Sequence, residues 1–113
     1  ACIDALPEVV EAVDGRVPVV VDGGFMRGAD VVKALCLGAT AVGMGRLEGL
    51  AMAAGGTDAL LAAFKILEHE IKTTMALTGI NSLDQLGPHL VTREAPLGPS
   101  HVLSAFPFLE ENY

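Results

Sequence analysis

Along this chain, stretches with a helical apolar period alternate with short runs that are apolar at every position. The first periodic stretch runs from Ala5 to Val13. Asp4 is its expected N-cap, Pro7 falls in the first turn where its missing N–H costs least, and Asp14-Gly15 ends it. Val17-Pro-Val-Val-Val21 follows, β-branched and apolar on both faces, which predicts a strand of a parallel sheet with Pro18 tolerated near its start. A glycine turn from Asp22 to Gly28 leads into a helix over Ala29–Leu37, with Asp30 in its first turn and Gly38 as its stop. Ala41–Met44 predicts a second short strand, and the turn Gly43-Met-Gly-Arg46 comes directly after. A short helix over Leu47–Ala54 is interrupted by Gly55-Gly56, and a long one spans Asp58–Thr78 with Thr57 as N-cap. Its stripe of Leu60, Phe64, Leu67, Ile71 and Met75 steps by three and four. Ser82-Leu-Asp-Gln-Leu86 reads as one capped helical turn. From Pro88 to Tyr113 prolines recur and no period lasts, which reads as an extended tail or a loose terminus, with Phe106 and Phe108 as potential anchors.

The order α-β-α-β-α makes the fold class α/β, with a parallel sheet. Two strands cannot form such a sheet alone, because each is apolar on both faces and needs neighbours. The chain is therefore expected to hold two consecutive β-α units of a larger barrel or open sheet. It also opens at Ala1-Cys2-Ile3-Asp4, a few residues before a helix, as part of a longer protein would.

Composition narrows the class. With 51% apolar residues and a mean hydropathy of +0.50 the chain is no disordered tail. Gly, Pro and charges interrupt every apolar run well short of the roughly 20 residues of a membrane span. A net charge of −7 argues against nucleic acid as a partner. Two cysteines, Cys2 and Cys36, form neither a disulfide framework nor a metal cluster, so a cytoplasmic location is expected. Cys36 lies on the apolar side of its helix. His69 lies on a charged helix face, and His69-Glu-Ile-Lys-Thr73 lacks the second histidine of a zinc-protease motif.

The chemistry is concentrated in the two glycine turns, each at the carboxyl end of a strand, where parallel α/β folds bind ligands. Gly23 and Gly24 let backbone N–H groups approach an anion, and the helix after them points its N-terminus at the same place. Gly45 and Arg46 repeat the arrangement one unit later and add a positive charge. Two such loops converging on one phosphate is the arrangement of the last two units of a phosphate-binding barrel. Tight turning alone would also use glycine. Asp22 either accepts hydrogen bonds from a sugar or polyol hydroxyl or caps its turn, and Arg27 either reaches the phosphate or covers the rim.

The run from Asp22 to Arg46, DGGFMRGADVVKALCLGATAVGMGR, resembles the C-terminal signature of the FMN-dependent α-hydroxy acid oxidases and dehydrogenases, among them glycolate oxidase, lactate oxidase and mandelate dehydrogenase. The helix ending Thr73-Thr-Met-Ala-Leu-Thr-Gly79 and the Ser82–Leu86 turn resemble the last barrel helix of that family and the short segment after it. The resemblance implies a TIM barrel in which Val17–Val21 and Ala41–Met44 are the seventh and eighth strands. Residues 1–86 would be the C-terminal part of that FMN-binding barrel and 87–113 its extended tail. It also implies that Asp22, Gly23, Gly24, Gly45 and Arg46 hold the ribityl and phosphate of FMN. Where the family carries two arginines this chain has Met26 and Arg27, so the Met26 N–H and the Arg27 guanidinium complete the implied cofactor set.

The family's lysine, histidine and arginine of catalysis precede the segment present here, so no catalytic residue is assigned to this chain, and no metal is expected. The implied activity is oxidation of a 2-hydroxy acid to a 2-oxo acid. The implied partners are the N-terminal part of the same barrel, as a separate chain or cleaved fragment, and further copies in a homo-oligomer. Type 2 isopentenyl diphosphate isomerase and IMP dehydrogenase use similar phosphate cradles and stand as alternatives, as does a non-catalytic half-barrel binding module.

Overall fold

A computed structural model of the chain describes residues 1–94. Its elements are α1 (Cys2–Val13), β1 (Val20–Asp22), α2 (Gly28–Cys36), β2 (Ala41–Gly43) and α3 (Gly45–Leu77), followed by two 3-10 turns, Leu83–Gln85 and Pro88–Leu90. The α-β-α-β-α order and the α/β class are those the periodicity predicts.

The two strands are parallel, with Val20 opposite Ala41, Val21 opposite Val42 and Asp22 opposite Gly43. The first strand is shorter than the apolar run that predicts it. Pro18 has no N–H to give to a ladder, so pairing begins only at Val19, whose carbonyl accepts from the Thr40 N–H at 2.7 Å and whose N–H donates to Thr40 Oγ1 at 3.2 Å. Of the β1 residues only Val21 is buried. It joins Leu6 of α1, Phe25, Ala34 of α2 and Ala39 in one core, with Ile3, Val10, Leu37, Val42 and Met44 packed around it. Val20, on the opposite face of the strand, is 65% exposed.

Helix α1 starts at Cys2, earlier than an Asp4 cap would place it. Asp4 lies in the first turn, where the helix dipole favours a carboxylate, and pairs with the Ala1 amino group at 2.8 Å and Arg93 at 3.1 Å. The Arg93 pair ties the residues after Gly87 to α1, and the Pro88–Leu90 turn packs on α2. The tail expected to begin at 87 is therefore docked at its start. Phe106, Phe108 and the rest of 95–113 lie outside the described residues.

The helix α3 is continuous in name only. Gly55 and Gly56 leave the helical region (Gly56 at φ 60°) and kink it where the glycine pair predicts a break. Its first arm begins at Gly45 rather than Leu47, so the second glycine turn is itself the helix start. By length and composition this helix is apolar enough to cross a membrane, which a count of uninterrupted apolar residues does not reveal. The kink divides it, and Lys65, Glu68, Glu70 and Lys72 lie on the second arm. The second arm runs along α2, with Leu67 buried in the contact.

Candidate functional site

Because β1 and β2 run parallel in register, the turns that leave Asp22 and Gly43 emerge side by side. They enclose an open cleft of about 330 Å³. Asp22, Gly23, Gly24 and Phe25 form one wall, and Met44, Gly45 and Arg46 form the other. Five of the seven residues implied as cofactor contacts thus meet in one place. Phe25 and Met44 join them from the core side, where their apolar side chains gave no ligand signal in the sequence.

The glycines of the two walls have different reasons. Gly24 has a φ of 84°, which an L side chain rarely adopts. A Cβ on Gly43 would stand 2.9 Å from Asp22 Cγ, so its absence is what lets the Asp22 side chain lie across the end of β2. Gly45 is neither strained nor crowded: nothing lies within 4 Å of where its Cβ would be. The open room over its backbone is room for a ligand to approach.

The two helices contribute unequally. The N-terminus of α2 is occupied by the chain's own carboxylates. Gly28 N–H donates to Glu70 Oε2 at 2.7 Å, Arg27 N–H to Asp30 Oδ2 at 3.2 Å and Met26 N–H to the same oxygen at 3.4 Å. The Arg27 side chain turns to α3 as well, its Nε 2.8 Å and its Nη2 2.6 Å from Glu70 Oε1. Met26 and Arg27 therefore do not line the cleft, and α2 does not offer its amides to it. At α3 the N-cap is Met44, whose thioether is no cap for the first-turn N–H groups. The positive end of α3, with the Arg46 side chain, is the end that faces the cleft.

The family model described as FMN-dependent dehydrogenase matches residues 1–93. The chain belongs to this family. It is 46% identical over 94 residues to a peroxisomal (S)-2-hydroxyacid oxidase of Arabidopsis thaliana, covering 83% of this chain and 26% of that protein. It is 44% identical over 107 residues to glycolate oxidase 1 of Zea mays, covering 95% of this chain and 28% of that protein. Among solved structures it superposes with a TM-score of 0.70 and 43% identity on a mandelate oxidase variant with a monooxide FMN adduct, covering 73% of this chain and 26% of that one. A flavocytochrome b2 variant with benzoylformate gives a TM-score of 0.73 at 34% identity, covering 100% of this chain and 30% of that one. The chain thus spans about a quarter of the length of the relatives it matches.

Family membership does not by itself explain where the remaining polar groups go. His69 is exposed on α3, in keeping with a solvated face, and His89 is exposed in the second 3-10 turn. Cys36 is buried in packing, and Cys2 is exposed. Sequence reasoning missed Glu70 and Gly28. Glu70 lies 42 positions from the N–H it accepts, beyond the reach of any local signal.

The Glu70 carboxyl is held below its ordinary value first by the Arg27 side-chain hydrogen bond, then by the Gly28 N–H, with partial burial opposing and the charges of Arg27 and His69 assisting. Because the folded-state value is the lower one, its contribution is complete above the ordinary Glu range and disappears as pH falls through the folded value. Acid titration of stability should show this loss below about pH 4.5. Glu70→Gln should flatten that acid limb. An unchanged acid limb in the variant would contradict the assignment.

Proposed function

We propose that this chain supplies the phosphate and ribityl end of the FMN site in an enzyme that oxidises a 2-hydroxy acid to a 2-oxo acid. On this reading β1 and β2 are the seventh and eighth strands of a TIM barrel, and residues 1–86 form the C-terminal part of that barrel. The observation that carries it is the asymmetry of the two turns. Carboxylates fill the N-terminus of α2, whereas the start of α3 presents open backbone at Gly45 beside Arg46.

The residues fit the sugar-phosphate end of FMN. A phosphate seated over Gly45 would meet the positive end of α3 and the Arg46 guanidinium, both of which favour an anion. Asp22, at the end of β1, is an acceptor for ribityl hydroxyls. FMN, when bound, supplies the acceptor for the electrons of the hydroxy acid. What these residues do is bind and orient. Asp22 and Arg46 grip the cofactor from its remote end, and Gly43 keeps the space over β2 open for the Asp22 carboxylate. The residues that handle the substrate proton and carboxylate are placed in the N-terminal part.

The test is the flavin itself. The assembled protein should purify yellow, and Gly45→Leu should purify largely colourless, because a branched side chain fills the space where backbone and phosphate must meet. A Gly45→Leu protein that keeps its full flavin absorbance would place the phosphate elsewhere.

A further inference from the structure

Arg27 and Glu70 stand outside the cleft, yet Glu70 links the start of α2 to the second arm of α3 through its side chain. Its Oε2 accepts the Gly28 N–H at 2.7 Å and its Oε1 accepts from Arg27 Nε at 2.8 Å, so one carboxylate holds both residues that end the β1–α2 loop. The end of β1 and the first part of that loop, Asp22 to Phe25, are one wall of the cleft, and Met44 with the first turn of α3 is the other. Gly28 brings the two helices into backbone contact here: a Cβ on it would stand 2.6 Å from Ile71 N. Glu70 is only 20% exposed in its side chain, whereas Arg27 is 72% exposed. The carboxylate is thus the fixed member of the pair, and the guanidinium folds down onto it.

We propose that Glu70 is a positioning residue for the cofactor cleft, and that Arg27 acts on the cofactor only through Glu70. The inference rests on the reading of the cleft as the FMN phosphate site. By tying Arg27 and Gly28 to the second arm of α3, Glu70 sets how far the Asp22–Phe25 wall stands from Gly45 and Arg46. It also fills the anion-attracting end of α2, which leaves the start of α3 as the seat for phosphate. A carboxylate beside an anion site would ordinarily repel the anion. Here the Arg27 guanidinium, on the other oxygen of the same carboxylate, neutralises it.

The experiment measures dissociation constants of FMN and of riboflavin, which lacks the phosphate, on the assembled protein. Glu70→Ala should weaken FMN at least tenfold and riboflavin, which keeps the ribityl contact to Asp22 but has no phosphate to seat, by a clearly smaller factor. Glu70→Gln, whose amide oxygen can still accept from Gly28, should fall between wild type and Glu70→Ala. Equal loss for both flavins would mean a general structural defect and overturn the proposal. Arg27→Ala should weaken FMN in the wild-type background and change it less than twofold in the Glu70→Ala background. A tenfold effect of Arg27→Ala in that background would make Arg27 a direct phosphate contact and overturn the proposal. Glu68→Gln breaks the exposed Glu68–Lys72 pair one half-turn away on the same helix and should leave both flavins unaffected. If Gly45→Leu leaves flavin binding intact, the cleft reading itself fails. If Gly45→Leu abolishes binding and Glu70→Ala does not weaken it, only the positioning role fails.

Discussion

Gly28→Ala should destabilise the assembled protein by about 3 kcal/mol, near the top of the range for overpacking a well-filled site. The added Cβ would stand 2.5 Å from Glu70 Cβ, 2.6 Å from Ile71 N and 2.8 Å from Leu67 O. Two of those three atoms are backbone of α3, so no side chain can swing aside and the helices must part. Alanine's better helix propensity works in the opposite direction, by about 1 kcal/mol at most. Steric cost therefore wins. Gly49→Ala is the natural comparison, since nothing lies within 4 Å of its added methyl and only the propensity gain remains. Denaturant midpoints at unchanged slope measure both. A Gly28→Ala protein within about 0.5 kcal/mol of wild type would show that α2 and α3 do not meet as closely as described.

Arg46→Ala should weaken FMN by about 1.5–3 kcal/mol, the scale of a hydrogen bond to a charged group, or roughly 10- to 150-fold in dissociation constant. Arg46 lines the cleft from the first turn of α3, where its charge adds to the helix dipole. Its contact would be with the end of the cofactor remote from the reacting atoms, so it contributes equally before and during the chemical step. Uniform binding of that kind changes occupancy rather than the barrier. Excess FMN should accordingly restore most of the turnover of Arg46→Ala, and of Asp22→Ala, with 2-hydroxy acid substrates. A variant fully loaded with flavin and still about a hundredfold slow, some 2.7 kcal/mol of barrier, would move Asp22 or Arg46 into the chemistry.

The element order, the parallel α/β class, the kink at Gly55-Gly56 and the two glycine turns were legible in the chain itself. Each depends on a signal that acts within a turn or two: apolar period, backbone freedom at glycine, a break in β-branched residues. Gly45 and Arg46 could be assigned together for the same reason, since a helix start and its first charged side chain are neighbours in sequence. The resemblance of the run from Asp22 to Arg46 reached further, to the family that the comparison over residues 1–93 establishes.

Direction was what only the tertiary structure decided. Arg27 sits four residues from Gly23 in a turn that resembles a phosphate loop, and sequence left open whether it reached the ligand. The packing of α2 on α3 carries its guanidinium to Glu70, 43 positions away, and the same carboxylate takes the Gly28 N–H. A pair at that separation depends on the approach of two helices, which is set by Gly28 and by the burial of Leu67 in the contact. No local preference encodes that approach. The sequence thus determined which turns carry glycine and charge, and the packing of α2 against α3 decided which helix end meets the cleft.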